Sequence, residues 1–206
     1  MKNQFDLAAG QWDTPYRINR SKIISNKIRD YADFTAGDKV LDFGCGTGLI
    51  SFNLVDCVGN ITFVDSSDEM LSAAKEKTKH VENEITYEFT NTVFTDRLEP
   101  ETYDCIYTSM VLHHIKDMRS LAVKFQQLLK KNGRLCIVDL TPDDGSFHSD
   151  EPDFDGHNGF EPEGLSSFFC RYGFQEDKRE VFFSDTREKN GRKIAYSLFI
   201  VKLKKI

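Results

Sequence analysis

The chain has 206 residues, 39% of them hydrophobic and 29% charged, enough apolar side chain for one full globular core. A net charge of −6 with no long basic run excludes a broad phosphate-binding surface, so nucleic acid is not an expected partner. The five cysteines (45, 57, 105, 136 and 170) are odd in number and form no Cys-x-x-Cys pair, which points to reduced thiols and no metal site. No stretch is long enough to span a bilayer, and the opening MKNQFDLAAGQWD is not a secretory signal, so a cytoplasmic protein without membrane insertion is expected.

Residues 1–16 read as an irregular cap. Phe5, Leu7, Trp12 and Tyr16 are too apolar for a free tail, and either plug the core edge or cover a ligand. A helix follows over 17–33, with Ile23, Ile24, Ile28 and Tyr31 on one face. The first strand, 39–43, runs into glycines at 44, 46 and 48 and then into a helix carrying Leu49, Ile50, Phe52, Leu54 and Val55. A second strand, 61–64, ends in Asp65. Ser66 and Glu69 then suggest a capping box for a helix over 67–80, with Met70, Leu71 and Ala74 as its apolar face.

A third strand, 85–89, leads into Thr90-Asn91-Thr92-Val93, and a fourth, 103–107, opens into Thr108 and the pair His113-His114. An amphipathic helix is expected over 117–131, with Lys130 and Lys131 in its last turn and Gly133 just past it. The fifth strand, 135–140, stops at Pro142. Residues 142–159 are loop-like, with six carboxylates between 143 and 155 plus His148 and His157. A helix starts near Pro162 and stops at Gly173. Strands over 174–183 and 194–203 close the chain, with an Asn190-Gly191 hairpin signal between them.

Alternating strands and helices imply a parallel sheet covered on both faces. The fold class is therefore α/β: a three-layer, Rossmann-like, seven-stranded, mostly parallel sheet with a C-terminal antiparallel hairpin. It is expected as one domain over 1–206, with 1–34 as cap and helix and 142–160 as an acidic loop over the site.

The glycine turn followed by an acid at the next strand tip is the layout of a nucleoside site. Bare backbone lets the ligand approach, and the Asp65 carboxylate accepts from ribose hydroxyls. The dinucleotide fingerprint wants Gly-x-Gly-x-x-Gly, but position 49 is Leu and the turn reads Gly-x-Gly-x-Gly. The run VLDFGCGTG, with Asp42 ahead of the first glycine and Asp65 at the next strand tip, resembles the class I S-adenosylmethionine (SAM)-dependent methyltransferases. YDCIYTSMVLHHI resembles the matching stretch of their small-molecule members, and the general look is of the ubiquinone/menaquinone-biosynthesis type. The Asn/Asp-Pro-Pro-Tyr signature of many amino-group methyltransferases is missing.

That resemblance implies SAM as cofactor, S-adenosylhomocysteine (SAH) as product and a small-molecule methyl acceptor. It places Asp65 on the ribose, Gly44 and Gly46 under the methionine and sugar portions, and Asn91, Thr92 and Val93 around the adenine. Relatives usually carry Asp at the Asn91 position, but an amide oxygen still accepts that bond. Ser66 and Met70 lie close enough behind Asp65 to touch the ligand. Asp42 either anchors the turn or orients the donor's ammonium group, and Thr108 lies near the donor sulfur. His113, His114 and His157 are the candidate bases, with at most one of the adjacent pair expected to face the acceptor. The acidic loop is either solvated or a lid favouring a cationic acceptor. The alternative function is a catalytically silent module that binds SAM or a partner protein. An NAD-dependent oxidoreductase is a weaker reading, opposed by Leu49 and the terminal hairpin.

Overall fold

A computed structural model describes residues 4–82, 85–149, 151, 154–189 and 191–206. Helices α1 (Gln4–Ala8) and α2 (Pro15–Ala32) precede strand β1 (Lys39–Phe43). Then come β2 (Asn60–Val64), α3 (Asp68–Thr78), β3 (Thr86–Thr90) and β4 (Tyr103–Ser109). Helix α4 (Met118–Leu128), β5 (Leu129–Leu140), α5 (Pro162–Cys170), β6 (Phe174–Lys189) and β7 (Arg192–Lys205) complete the order.

Among the described residues the strands form one sheet in the order β3-β2-β1-β4-β5-β7-β6. Its first five members are parallel, and β7 pairs antiparallel with both β5 and β6. This is the expected α/β class. Each core strand sends alternate residues to opposite faces. Val40, Cys105 and Cys136 pack with Ile24 and Ile28 of α2 and Ala74 of α3. Leu41, Ile106 and Ile137 pack with Phe125 of α4 and Phe169 of α5. The two cores make three layers. The strand order reverses between β1 and β4, and in open α/β sheets ligands bind beyond the carboxyl ends at that reversal.

Five local expectations are corrected. The helix after the glycines is only a 3-10 turn, Ser51–Asn53. The Ser51 hydroxyl turns inward to bond Asp42 and Tyr107 rather than facing outward from a helix. The cap of α3 is Ser67, whose hydroxyl accepts from Met70 N; Asp65 accepts from Ser67 N and carries the bend one residue past Ser66. Helix α4 stops at Leu128, because Leu129 is already extended (φ −72°, ψ 140°) and Asn132 takes the left-handed step (φ 64°) before the strand runs on. The Lys130–Gly133 stretch therefore belongs to β5. The N-terminal segment is a short helix and a 3-10 turn rather than irregular chain, and its Leu7 is exposed. Both hairpin strands are longer than expected, and their last pair is Lys189 with Arg192. Gly191 is left-handed there (φ 72°), and Asn190 lies outside the described residues.

No helix among the described residues is long and apolar enough to cross a membrane. All five cysteines are free thiols.

Candidate active site

A cavity of about 900 Å³ opens beyond the carboxyl ends of β1, β2 and β4. That is near the top of the range of roughly 300–1,000 Å³ typical of small-molecule sites. Asp42, Gly44, Gly46, Asp65, Ser66 and Met70 line one part of it, and Asn91, Thr92 and Val93 continue that wall.

The glycine turn is pinned to the next strand. Gly44 N and Cys45 N both donate to Val64 O, at 2.7 and 3.0 Å. The Asp65 carboxylate accepts from Gly46 N at 2.8 Å and from Ser67 N at 2.9 Å. Burial pushes Asp65 above the usual carboxylate range. A carboxylate has about four lone-pair sites, so Asp65 keeps acceptor capacity toward the cavity. The three glycines differ in purpose. A Cβ on Gly44 would run into Val111, and one on Gly48 into Phe52. A Cβ on Gly46 would meet only Trp12 Nε1, at 3.5 Å, so Gly46 is the one held open toward the cavity. Asp42 is fully buried and accepts from Ser51 Oγ at 2.6 Å. Burial raises its carboxyl to about 7, against the lowering effect of the Ser51 bond.

The N-terminal segment forms a roof. Phe5, Trp12, Tyr16, Arg17 and Arg20 all line the cavity. It is latched to the floor at two places. Ser67 Oγ donates to Asp6 at 2.6 Å, and Thr47 Oγ1 donates to Asp13 at 2.5 Å. Lys77 also pairs with Asp13 and donates to Thr47 O at 2.8 Å.

Histidines make another wall. The chain leaves β4 through the left-handed Met110 (φ 60°) into the 3-10 turn Leu112–His114. That turn places both histidines on the cavity, their rings 4.2 Å apart, where divergence was expected. His113 is buried, and its Nδ1 lies 2.5 Å from Oδ1 of buried Asp139 at the end of β5. A carboxylate only accepts, so the Nδ1 side of the ring carries a proton toward Asp139 and Nε2 is the nitrogen left for another partner. His114 packs edge-on against Phe5, and burial, aided by His113 and His148, lowers it to about 4. His148, from the acidic loop, also lines the cavity, with Nδ1 at 3.0 Å from Glu151 and its ring stacked on Phe154.

Two assigned residues stand elsewhere. Thr108 is buried within β4 and off the cavity wall, because the strand runs on for one more residue and Ser109 and Met110 take the lining positions. His157 is also off the wall. Its N donates to His113 O at 2.7 Å and its Nε2 lies 3.1 Å from Ile115 O, so it braces the histidine turn from behind. No group of three or more His, Cys, Asp or Glu among the described residues is arranged to hold a metal ion.

Comparison with known proteins agrees with this geometry. A family model described as a methyltransferase domain matches residues 41–135, from the glycine strand to the start of β5's buried half. An uncharacterized methyltransferase of Schizosaccharomyces pombe is 28% identical over 79% of this chain and 74% of its own length. A ubiquinone biosynthesis O-methyltransferase of Proteus mirabilis is 30% identical over 61% of this chain, which spans 51% of that enzyme. A SAM-dependent methyltransferase from Aquifex aeolicus superposes with a TM-score of 0.73 at 17% identity, covering 98% of each chain, a likeness of fold.

The domain match, the relatives and the fold together support a class I SAM-dependent methyltransferase. SAM is accordingly the cofactor of this methyltransferase, and the cavity fits it: open backbone at Gly46, an acceptor at Asp65, and apolar surface at Met70 and Val93. The sequence did not single out Arg17, Arg20, Val111, Asp139 or Arg187 of this methyltransferase. Asp139 had one signal, a lone charge inside the apolar run 135–140.

Proposed function

We propose that this methyltransferase transfers the methyl group of SAM to a hydroxyl of a small molecule by in-line displacement, with His113 as the base. The observation that carries this reading is the His113–Asp139 pair, placed on the wall of the cavity that also holds the glycine turn and Asp65. SAM supplies a methyl on a sulfonium whose departure as a neutral thioether needs no acid. The chain's task is then to hold and align, which can supply about 7–11 kcal/mol. A base is needed only for an acceptor that arrives protonated, as a hydroxyl does. The O-methyltransferase name of the Proteus mirabilis relative supports the same class.

Asp65 accepts from the ribose hydroxyls, and Asn91, Thr92 and Val93 border the adenine. Asp42 supports the turn through Ser51 and faces the donor's ammonium group. Trp12 and the roof exclude water. His113 takes the acceptor's proton on Nε2, Asp139 stabilises the resulting imidazolium, and His114 stays neutral beside it. The acidic net charge favours a metabolite over nucleic acid, and the free thiols suit the cytoplasm.

The test is methyl transfer from SAM to a panel of hydroxylated metabolites, with SAH binding measured separately. The expected result is turnover that falls about 10²–10⁴-fold in His113→Ala with SAH affinity kept. SAH binding without turnover on any acceptor would favour the silent module instead.

A further inference from the structure

Asp139 holds His113 from one side. It meets the ring at Nδ1 and accepts, at 3.4 Å, from the main-chain N–H of the same residue. The turn that carries His113 supplies little more of its own. Its two internal bonds run from His114 N to Val111 O and from Ile115 N to Leu112 O, both at 2.9 Å. The carbonyls of His113 and Ile115 take no bond within the turn, as is usual for the last carbonyls of a helical turn. His157 takes both. Its N–H donates to His113 O at 2.7 Å, and its Nε2 lies 3.1 Å from Ile115 O. A carbonyl only accepts, so Nε2 of His157 bears the proton in that bond.

The chain on either side of His157 is built for that approach. Gly156 lies so close to the turn that a Cβ there would stand 2.1 Å from His113 O, so a side chain at 156 would push the turn away. Asp155 pairs with Lys116, the residue after Ile115. The His157 ring packs on Phe160 with 5.0 Å between centroids, and Phe160 N donates to Leu140 O at 2.8 Å, next to Asp139. His113 is thus gripped at its ring by the tip of β5 and at its carbonyl by the last residues of the acidic loop. The two grips come from segments that are themselves joined at Leu140 and Phe160.

We infer that His157 is a positioning residue for His113: its two bonds fix the turn so that Nδ1 stays on Asp139 and Nε2 stays toward the acceptor. This rests on the proposed role of His113 as the base. His157 is off the cavity wall, so it acts through the turn and not on the acceptor. The leverage is large, because a displacement of about 1 Å in a reacting group can cost about 10²-fold in rate. The role needs an N–H donor at the place of Nε2, and it needs no charge. Gln can supply that donor, whereas Phe keeps the packing on Phe160 and lacks it. The acidic loop then serves the site through its last residues as well as through Phe147, His148 and Glu151 on the wall.

The test compares His157→Phe with His157→Gln in the full chain. The first readout needs no acceptor. It is the proton NMR signal of His113 Nδ1–H in SAH-saturated protein, placed far downfield by the short bond to Asp139 and assigned by its loss in His113→Gln. His157→Phe should broaden or abolish that signal while SAH affinity and the circular dichroism spectrum stay as in the parent, and His157→Gln should keep it. The second readout is turnover on a hydroxylated metabolite that the parent methylates. There kcat is expected to fall about 10–100-fold in His157→Phe with KM nearly unchanged, and His157→Gln should recover most of it. A signal and a kcat that both survive His157→Phe, or losses that His157→Gln does not repair, would overturn the inference. Absence of turnover in the parent would instead count against the proposed methyl transfer, and the NMR comparison then judges the brace by itself.

Discussion

His113 and Asp139 meet through a 2.5 Å contact between Nδ1 and Oδ1, although 26 residues separate them. Asp139 is held in its turn, since Oδ1 accepts from Leu140 N at 2.8 Å. The pair joins the turn after β4 to the tip of β5, two strands that run side by side up to Ser109 and Val138. Replacing Asp139 by Asn keeps the shape but not the charge that fixes the tautomer and stabilises a protonated ring. Asp139→Asn is expected to lower kcat on the order of 10²-fold, within the usual range for acid–base assistance. SAH affinity should hold, and the pH dependence of kcat should shift. An unchanged pH profile would remove His113 as the base.

Gly44 and Gly46 are both left-handed, but they should fail differently. In Gly44→Ala the new methyl meets the Val111 side chain, an overpacking that costs about 1–3 kcal/mol. Val111→Ala in the same chain should recover part of the lost Tm. In Gly46→Ala the methyl stands in the cavity at contact distance from Trp12, so stability drops only by the left-handed penalty of about 1–2 kcal/mol. SAH affinity should fall more in Gly46→Ala than in Gly44→Ala with Val111→Ala. Thermal melts and calorimetry on the three variants decide this.

Asp65 restrains the turn, and in the proposed reading it also accepts from the ligand. Asp65→Ala removes both and should weaken SAH binding about 10–150-fold, the range for one charged hydrogen bond. Asp65→Asn keeps one carbonyl acceptor and should fall between the parent and Asp65→Ala. Identical affinities for all three proteins would deny the residue any contact with the cofactor.

The two strand tips that line the proposed cofactor end of the cavity were legible because local signals coincide there. Gly44 to Gly48 and Asp65 sit at fixed offsets from two apolar strands, and no distant residue is needed to read them. Asn91, Ser66 and Met70 follow from the same frame. What was not legible comes from contacts made across the sheet. Asp139 looks like one polar residue in a strand until β5 is laid beside β4. Arg187 sits in a hairpin and Arg17 on a helix, and only the wrap of α2 and β6 around one opening brings them together. The helix expected after Gly48 failed for a similar reason. Its apolar spacing is correct, but Ser51 is drawn inward by Asp42 and Tyr107, and neither partner is a sequence neighbour.

Asp42 and His114 give opposite pH dependences of stability. Burial holds Asp42 protonated in the fold up to about 7, whereas the unfolded chain loses that proton near 3.8. Between those values the folded state binds the extra proton, so this group makes stability fall as pH rises. His114 stays neutral in the fold down to about 4, whereas the unfolded chain takes up a proton below 6.5. There the unfolded state binds the extra proton, so this group makes stability rise with pH. Over the shared window the two slopes oppose each other. Asp42→Asn should therefore show stability rising from pH 4 to 6.5 relative to the parent, by on the order of 1 kcal/mol per pH unit. His114→Gln should show it falling over the same range. Urea unfolding at a series of pH values measures both, and parallel curves for all three proteins would contradict the assignment.

The roof over the cofactor end is fastened by Asp13, which takes the Thr47 hydroxyl and the Lys77 ammonium at once. Helix α1, beyond that latch, has no buried side chain and is held by its own fastening, Ser67 Oγ to Asp6 at 2.6 Å, so the Asp13 latch carries only part of the roof. Asp13→Ala frees Thr47 and Lys77 and leaves Trp12 held only from its own side of the roof, by Arg17 and Phe5. The expected outcome is faster SAH dissociation with affinity weakened about three- to tenfold, equivalent to one or two ordinary hydrogen bonds. Tm should change by no more than a few degrees without ligand, and the stabilisation by saturating SAH should shrink in step with the lost affinity. Stopped-flow dissociation from the Trp12 fluorescence signal reads the roof directly, because Trp12 is the chain's one tryptophan. A dissociation rate equal to the parent's would mean that the segment lies over the cavity without closing it.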